Sequence, residues 1–171
     1  MEDQLEIENK VLNSGLVTFD LETLHHPGHR ILFDIKSLLF REMILKEKDF
    51  REYIKTHDWS QYQGQNIAFI CSTDAIVPTW AYMLLAKAIQ PFANRYVFGD
   101  LQSLESTLFY DAISNINTEE LRDKRVIVKG CSDQNVPVSA YVEITNKLLP
   151  LVKSIMYGEA CSNVPIYKKS N

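Results

Sequence analysis

The residues whose type and setting point most directly to chemistry are the three cysteines, Cys71, Cys131 and Cys161. Each opens the same phrase: Cys71-Ser72 leads to Val77-Pro78, Cys131-Ser132 to Val136-Pro137, and Cys161-Ser162 to Val164-Pro165. A cysteine used only for packing has no reason to be followed three times by serine and then by valine and proline. Three converging thiolates are the donor set of a zinc ion or an iron-sulfur cluster. They leave a tetrahedral ion one ligand short, and Asp74, Asp133, Asp100 and Glu159 are candidates to complete or tune the site, as are a histidine, water or a substrate. Two other readings stand beside the metal. One is a metal-free crevice that binds a small ligand or uses one cysteine as a reactive thiol; the other is a structural protein in which all three cysteines are packing. No Cys-x-x-Cys pair is present, so the metal reading depends on the fold to assemble the sulfurs.

Other polar residues carry two readings each. Ser72, Ser132 and Ser162, next to the cysteines, can cap helices or donate to a bound anion. Asp100 and Glu159 follow Gly99 and Gly158 and can serve as acid and base, as metal ligands, or as caps. His25, His26 and His29 surround Pro27-Gly28 and read as an exposed polar turn, and His57 reads as a helix-end residue. Trp80, Tyr82 and Tyr141 read as core. Glycine-rich nucleotide loops, a Gly-x-Ser-x-Gly elbow and a phosphatase-type cysteine-arginine cradle are all absent. Turnover is therefore left open, with binding favoured over catalysis.

The elements that must position these residues alternate between strand and helix. Beyond Gly64 the pattern predicts strands at 67–70, 95–98, 126–128 and 154–157, with helices at 78–90, 101–116 and 138–149. The second strand-helix-strand set copies the first at a constant offset of 59: Pro78 matches Pro137, Ala81-Tyr82 matches Ala140-Tyr141, and Gly99-Asp100 matches Gly158-Glu159. The expected architecture is α/β: a four-stranded parallel sheet made from two duplicated βαβ units, Rossmann-like, spanning 64–171. Strands 16–21 and 30–35 are expected to form an N-terminal β-hairpin, and 37–53 one or two helices, so that 1–63 packs on the core as part of a single domain. In such a sheet all strand-to-helix loops emerge at one edge. If the two copies wind in opposite directions, the strands ending at Cys71 and Cys131 are neighbours. Residues 1–14 fit either a short docked helix or a loose arm.

Composition narrows the function classes. Eighteen basic and twenty-two acidic residues are scattered, giving a charge of -4 without the concentrated basic field that nucleic acid requires. No apolar run reaches membrane-spanning length, and the start at Met1-Glu2-Asp3-Gln4 is acidic, unlike a secretory signal. An odd cysteine count without an export signal predicts free thiols and a cytoplasmic location.

The phrases from Cys71 through Pro78 to Tyr82, Lys129-Gly130-Cys131-Ser132, and Gly158 through Ser162 to Lys168 resemble a bacterial family, found mainly in Bacteroidetes: domain-of-unknown-function family 2480. Asp34-Ile35 and the stretch from Leu45 to Arg51 fit it as well, so the resemblance covers nearly the whole chain. It implies no established activity. It does imply partners among iron-sulfur cluster assembly proteins, which agrees with the thiolate reading.

Overall fold

The computed structural model describes residues 15–130 and 135–170. These form seven strands and four α-helices: β1 (Leu16–Asp20), β2 (Arg30–Asp34), α1 (Glu47–Thr56), β3 (Asn66–Ile70), α2 (Thr79–Ile89), β4 (Arg95–Phe98), α3 (Leu101–Asn115), β5 (Arg125–Lys129), α4 (Val138–Leu148), β6 (Ser154–Glu159) and β7 (Ser162–Lys168). The chain divides into two compact units. Residues 26–108 form an inserted unit, and the segments on either side of it form a flanking unit.

The flanking unit contains a four-stranded, mostly parallel sheet in the order β1-β5-β6-β7, with only β7 antiparallel. The inserted unit contains a parallel sheet in the order β2-β3-β4. The mixed α/β class expected from the strand-helix alternation is therefore present. The single sheet uniting both βαβ copies is not: β3-α2-β4 and β5-α4-β6 lie in separate sheets.

The N-terminal hairpin is also corrected. β1 pairs with β5 and β2 with β3, both in parallel, so the two expected hairpin partners belong to different units. Local chemistry explains why the chain leaves each strand. Asp20 and Asp34 end β1 and β2, and each carboxylate accepts the N–H two residues on, from Glu22 at 3.0 Å and from Lys36 at 2.9 Å. These Asx-type bonds open the short 3-10 turns Leu21–Leu24 and Ile35–Leu38. The first turn buries Leu21 in the core of the flanking unit, and the second buries Ile35 in that of the inserted unit. The turn around Pro27-Gly28 does exist, but it joins the two units.

Burial follows the expected periods. β3 is buried on both faces through Ile67, Ala68 and Phe69, as are Val126, Ile127 and Val128 of β5, which suits central parallel strands. α2 buries Ala81, Leu85 and Ile89, and α4 buries Ala140, Ile144 and Leu148, each a single stripe at i, i+4, i+8. Tyr82 and Tyr141 lie one residue off that stripe and are half-buried. In α3, Leu104 and Leu108 pack with Ala68, while Phe109 and Ile113 join the core of the flanking unit; Tyr110 is 54% exposed.

The helical reading of 37–53 holds only from Glu47 onward. Before it, Phe40 bridges Ile44 across a tight turn whose Arg41 and Glu42 take positive φ angles of 51° and 57°. Two successive left-handed residues end any helix. No helix among the described residues is long and apolar enough to cross a membrane.

Candidate functional site

In the inserted unit, β2, β3 and β4 run parallel, so their carboxyl ends share one edge. β2 delivers Asp34 there, β3 ends at Ile70 and continues into Cys71-Ser72, and β4 ends at Phe98 and continues into Gly99-Asp100. Asp34 ties two of these ends together: its Oδ1 accepts the N–H of Lys36 at 2.9 Å and the N–H of Ser72 at 3.1 Å. Partial burial works to raise its pKa. The Ser72 hydroxyl, the two amides and the charge of Lys36 outweigh that and hold the carboxyl below its ordinary value. The Lys36 ammonium is itself paired with Glu42 at 3.2 Å. Among the described residues no cation lies within ion-pair distance of Asp34.

Cys71, next to the Ser72 amide that Asp34 accepts, and Tyr82 are the other polar side chains of this edge. Cys71 is half-buried, and its thiol points to the carbonyl of Thr73 at 3.5 Å. Tyr82 projects from the first turn of α2 and packs edge-on against Phe98 with ring centroids 4.9 Å apart. Burial pushes its phenol pKa up, and the proximity of Cys71 and Asp34 adds to the rise, so the hydroxyl stays protonated. Phe98 is 70% exposed and Ile76, on the loop after Cys71, is 93% exposed. The edge thus offers an ionised carboxylate, a neutral phenol and a thiol among open apolar side chains.

The flanking unit has the same order of groups in a different electrostatic state. Asp20, ending β1, pairs with the Lys129 ammonium at 3.4 Å, and Lys129 also reaches Glu159, at the end of β6, at 3.8 Å. Its hydrogen bond to Asp20, and then the charge of Glu159, raise the lysine pKa. Tyr141, the counterpart of Tyr82, donates its hydroxyl to the Gly130 carbonyl. A Cβ on Gly130 would lie 2.9 Å from that hydroxyl and 3.1 Å from Leu21 Cβ, so the close approach requires glycine.

The strand adjacency expected to bring Cys71 beside Cys131 is not present. β3 has β2 and β4 as neighbours and β5 has β1 and β6, so the strands leading to Cys71 and Cys131 are not adjacent. Cys131, Ser132 and Asp133 lie outside the described residues. Cys161 is exposed on the turn between β6 and β7, in the other unit from Cys71. Among the described residues no group of three or more histidine, cysteine and acidic side chains is placed to hold a metal ion.

The remaining candidates have local roles. Asp100 caps α3, accepting the N–H and the hydroxyl of Ser103, both at 2.8 Å, and these two bonds, the amide foremost, hold its carboxyl low. Glu159 pairs with Lys129, Asp74 is exposed in the loop after Cys71, and Ser162 is the exposed first residue of β7. Ser72 lies too far ahead of Thr79 to cap α2 and is engaged by Asp34 instead. His25, His26 and His29 sit in the connecting turn, where the His29 amide donates to Gln65 and Asn94 approaches the His26 ring. His57 closes α1, its N–H donating to the Tyr53 carbonyl and its ring stacked on Tyr53 at 4.7 Å. Asp20, Asp34 and Lys129 are the polar residues to which motif reading gave no role, although Asp34 and Lys129 stand in the phrases that carry the family resemblance. The available signal was the recurrence of Phe19-Asp20-Leu21 in Phe33-Asp34-Ile35, at a spacing of 14 that the 59-residue repeat hides.

No curated protein and no solved structure matches the chain. The match to a protein family is nearly end to end, covering residues 5–169. On that match the chain belongs to the family described as "Protein of unknown function (DUF2480)".

Proposed function

We propose that this protein binds a small ligand at the carboxyl edge of the β2-β3-β4 sheet, without a metal ion in that site. The observation that carries the reading is the setting of Asp34: an ionised side chain fixed by two backbone amides, next to a neutral phenol and open apolar side chains. Small-molecule sites combine apolar walls with a few oriented polar groups, and open α/β sheets place them beyond the carboxyl ends of their strands. The zinc or iron-sulfur reading relied on Cys71 and Cys131 leaving adjacent strands, an adjacency the sheet order lacks. Among the described residues, the group fixed against the Cys71-Ser72 loop is the Asp34 carboxylate.

The test is a fragment screen followed by two-dimensional amide NMR on the full chain. Hits are expected to shift amides at 34–36, 71–73, 82 and 98–99 together, and Tyr82→Phe and Asp34→Asn are expected to weaken them. Fragments that shift only residues elsewhere, or bind equally well to both variants, would refute the assignment.

A further inference from the structure

The two sheets present the same local arrangement at one position with different charge. In each, a strand ends in Phe-Asp followed by a buried apolar residue, and the aspartate accepts the N–H two residues on. The register then fixes what stands beside the acid: Asp20 is paired with Lys129 across β1-β5, while Asp34 is paired with Ile70 across β2-β3. In the flanking unit an ammonium group of the chain neutralises the carboxylate at 3.4 Å. In the inserted unit an apolar side chain occupies that register position, and Asp34 is held ionised with no cation of the described chain at ion-pair distance.

From this difference we infer that the ligand of the inserted unit supplies the missing cation: it is an organic ammonium whose protonated nitrogen meets Asp34 and whose apolar body lies against Ile76 and Phe98. The inference rests on the ligand-binding reading above and specifies its chemistry. An ammonium-carboxylate contact is a charge-assisted hydrogen bond, stronger than its neutral counterpart. The Tyr82 hydroxyl, kept neutral, is a further acceptor at this edge, and the exposed Phe98 ring packed on Tyr82 suits either a cation or an aromatic body. An anionic ligand would meet Asp34 as a like charge.

Three probes of one shape and different charge test it by NMR titration of the full chain: 2-phenylethylammonium, 2-phenylethanol and phenylacetate. The ammonium is expected to shift amides 34–36 and 71–73 with an affinity at least about tenfold above the alcohol's, a gap of about 1.4 kcal/mol. Asp34→Asn should close that gap. Ile70→Lys, which gives this sheet the partner its counterpart already has, should abolish ammonium binding while the melting temperature stays within a few degrees. If Ile70→Lys fails to fold, Asp34→Asn alone decides. Equal or tighter binding of the alcohol or of phenylacetate at the same amides overturns the ammonium assignment and leaves the ligand-binding edge standing. Failure of all three probes to shift those amides at millimolar concentration overturns the ammonium assignment, and failure of the fragment screen as well removes the ligand site.

Discussion

Replacing Arg30 with alanine should destabilise the inserted unit by about 3 kcal/mol, and the reasoning can be checked bond by bond. The Arg30 guanidinium forms a two-pronged pair with Glu105, Nε to Oε2 at 2.7 Å and Nη2 to Oε1 at 2.8 Å. Its Nη1 donates to the carbonyls of His26 and Gly28, each at 2.7 Å. The two side chains are only 17% and 14% exposed. Breaking a fully buried pair costs about 3–5 kcal/mol, chiefly because one charge is left without compensation. Here residual water contact at Glu105 brings that term to about 2 kcal/mol, and the two carbonyls, which can recover water, add about 0.5 kcal/mol each. For a unit of this size that corresponds to a melting temperature lowered by about 12–20 °C. Chemical denaturation with amide NMR resolves the loss to residues 26–108. Arg30→Lys should recover less than half of it, because an ammonium cannot make the parallel fork. Since the pair is shielded, raising salt from about 0.1 M to 1 M should change the wild-type stability little. A loss below about 1 kcal/mol, or full recovery by lysine, would refute the account.

Further outcomes follow from single sites. Asp34→Ala should cost about 1–2 kcal/mol by leaving two amides without an acceptor, whereas Asp34→Asn, which keeps an oxygen in place but loses the charge, should cost less than the alanine at pH 7 and approach wild-type stability in acid; urea titrations of both separate structure from charge. Because Asp34, Asp58 and Asp100 have depressed pKa values when folded, the unfolded chain binds more protons in acid. Their contribution is therefore complete above the ordinary aspartate range and lost as pH falls through and below it; Asp34→Asn should flatten the fall of the urea midpoint between about pH 5 and pH 2. Gly130→Ala should lower the stability of the flanking unit by about 1–3 kcal/mol through overpacking against Tyr141 and Leu21, measured by thermal melting, and Tyr141→Phe should relieve part of that strain.

Much of the secondary structure could be read from the chain because local preference and burial agree there. Ile67 to Ile70 and Val126 to Val128 are β-branched or apolar runs destined for the centre of a sheet, and the stripes of α2 and α4 repeat at four-residue intervals. Pairing could not be read in the same way. Consecutive strands usually pair, which favoured a hairpin of β1 and β2, yet β1 finds β5 more than a hundred positions later because an entire unit is inserted between them. Residues 37–53 misled for a different reason: Leu38, Leu39, Ile44 and Leu45 carry the apolar content of a helix, but Arg41 and Glu42 turn the backbone to positive φ. The cysteine phrases drew attention to Cys71 and its loop, and the group the fold places against that loop is Asp34, whose importance appears only once β2 and β3 are set side by side.

The contrast between Asp20 and Asp34 bears on why an acid stays uncompensated by a cation in a folded protein. An ionised side chain near apolar residues is a standing electrostatic cost unless hydrogen bonds or a counter-charge offset it. The fold provides both at Asp20, through the Glu22 amide and Lys129, and that aspartate is satisfied within its own unit. At Asp34 it provides hydrogen bonds and only the more distant charge of Lys36, whose ammonium is paired with Glu42: enough to keep the group ionised, since its pKa is lowered, with no cation of the described residues at ion-pair distance. If stability alone governed the position, a lysine at 70 would be available at no cost in backbone geometry, since Lys129 occupies the equivalent place on β5. Isoleucine at that position gives up the ion pair and keeps the carboxylate accessible, which is the arrangement a binding site needs and a purely structural cap does not.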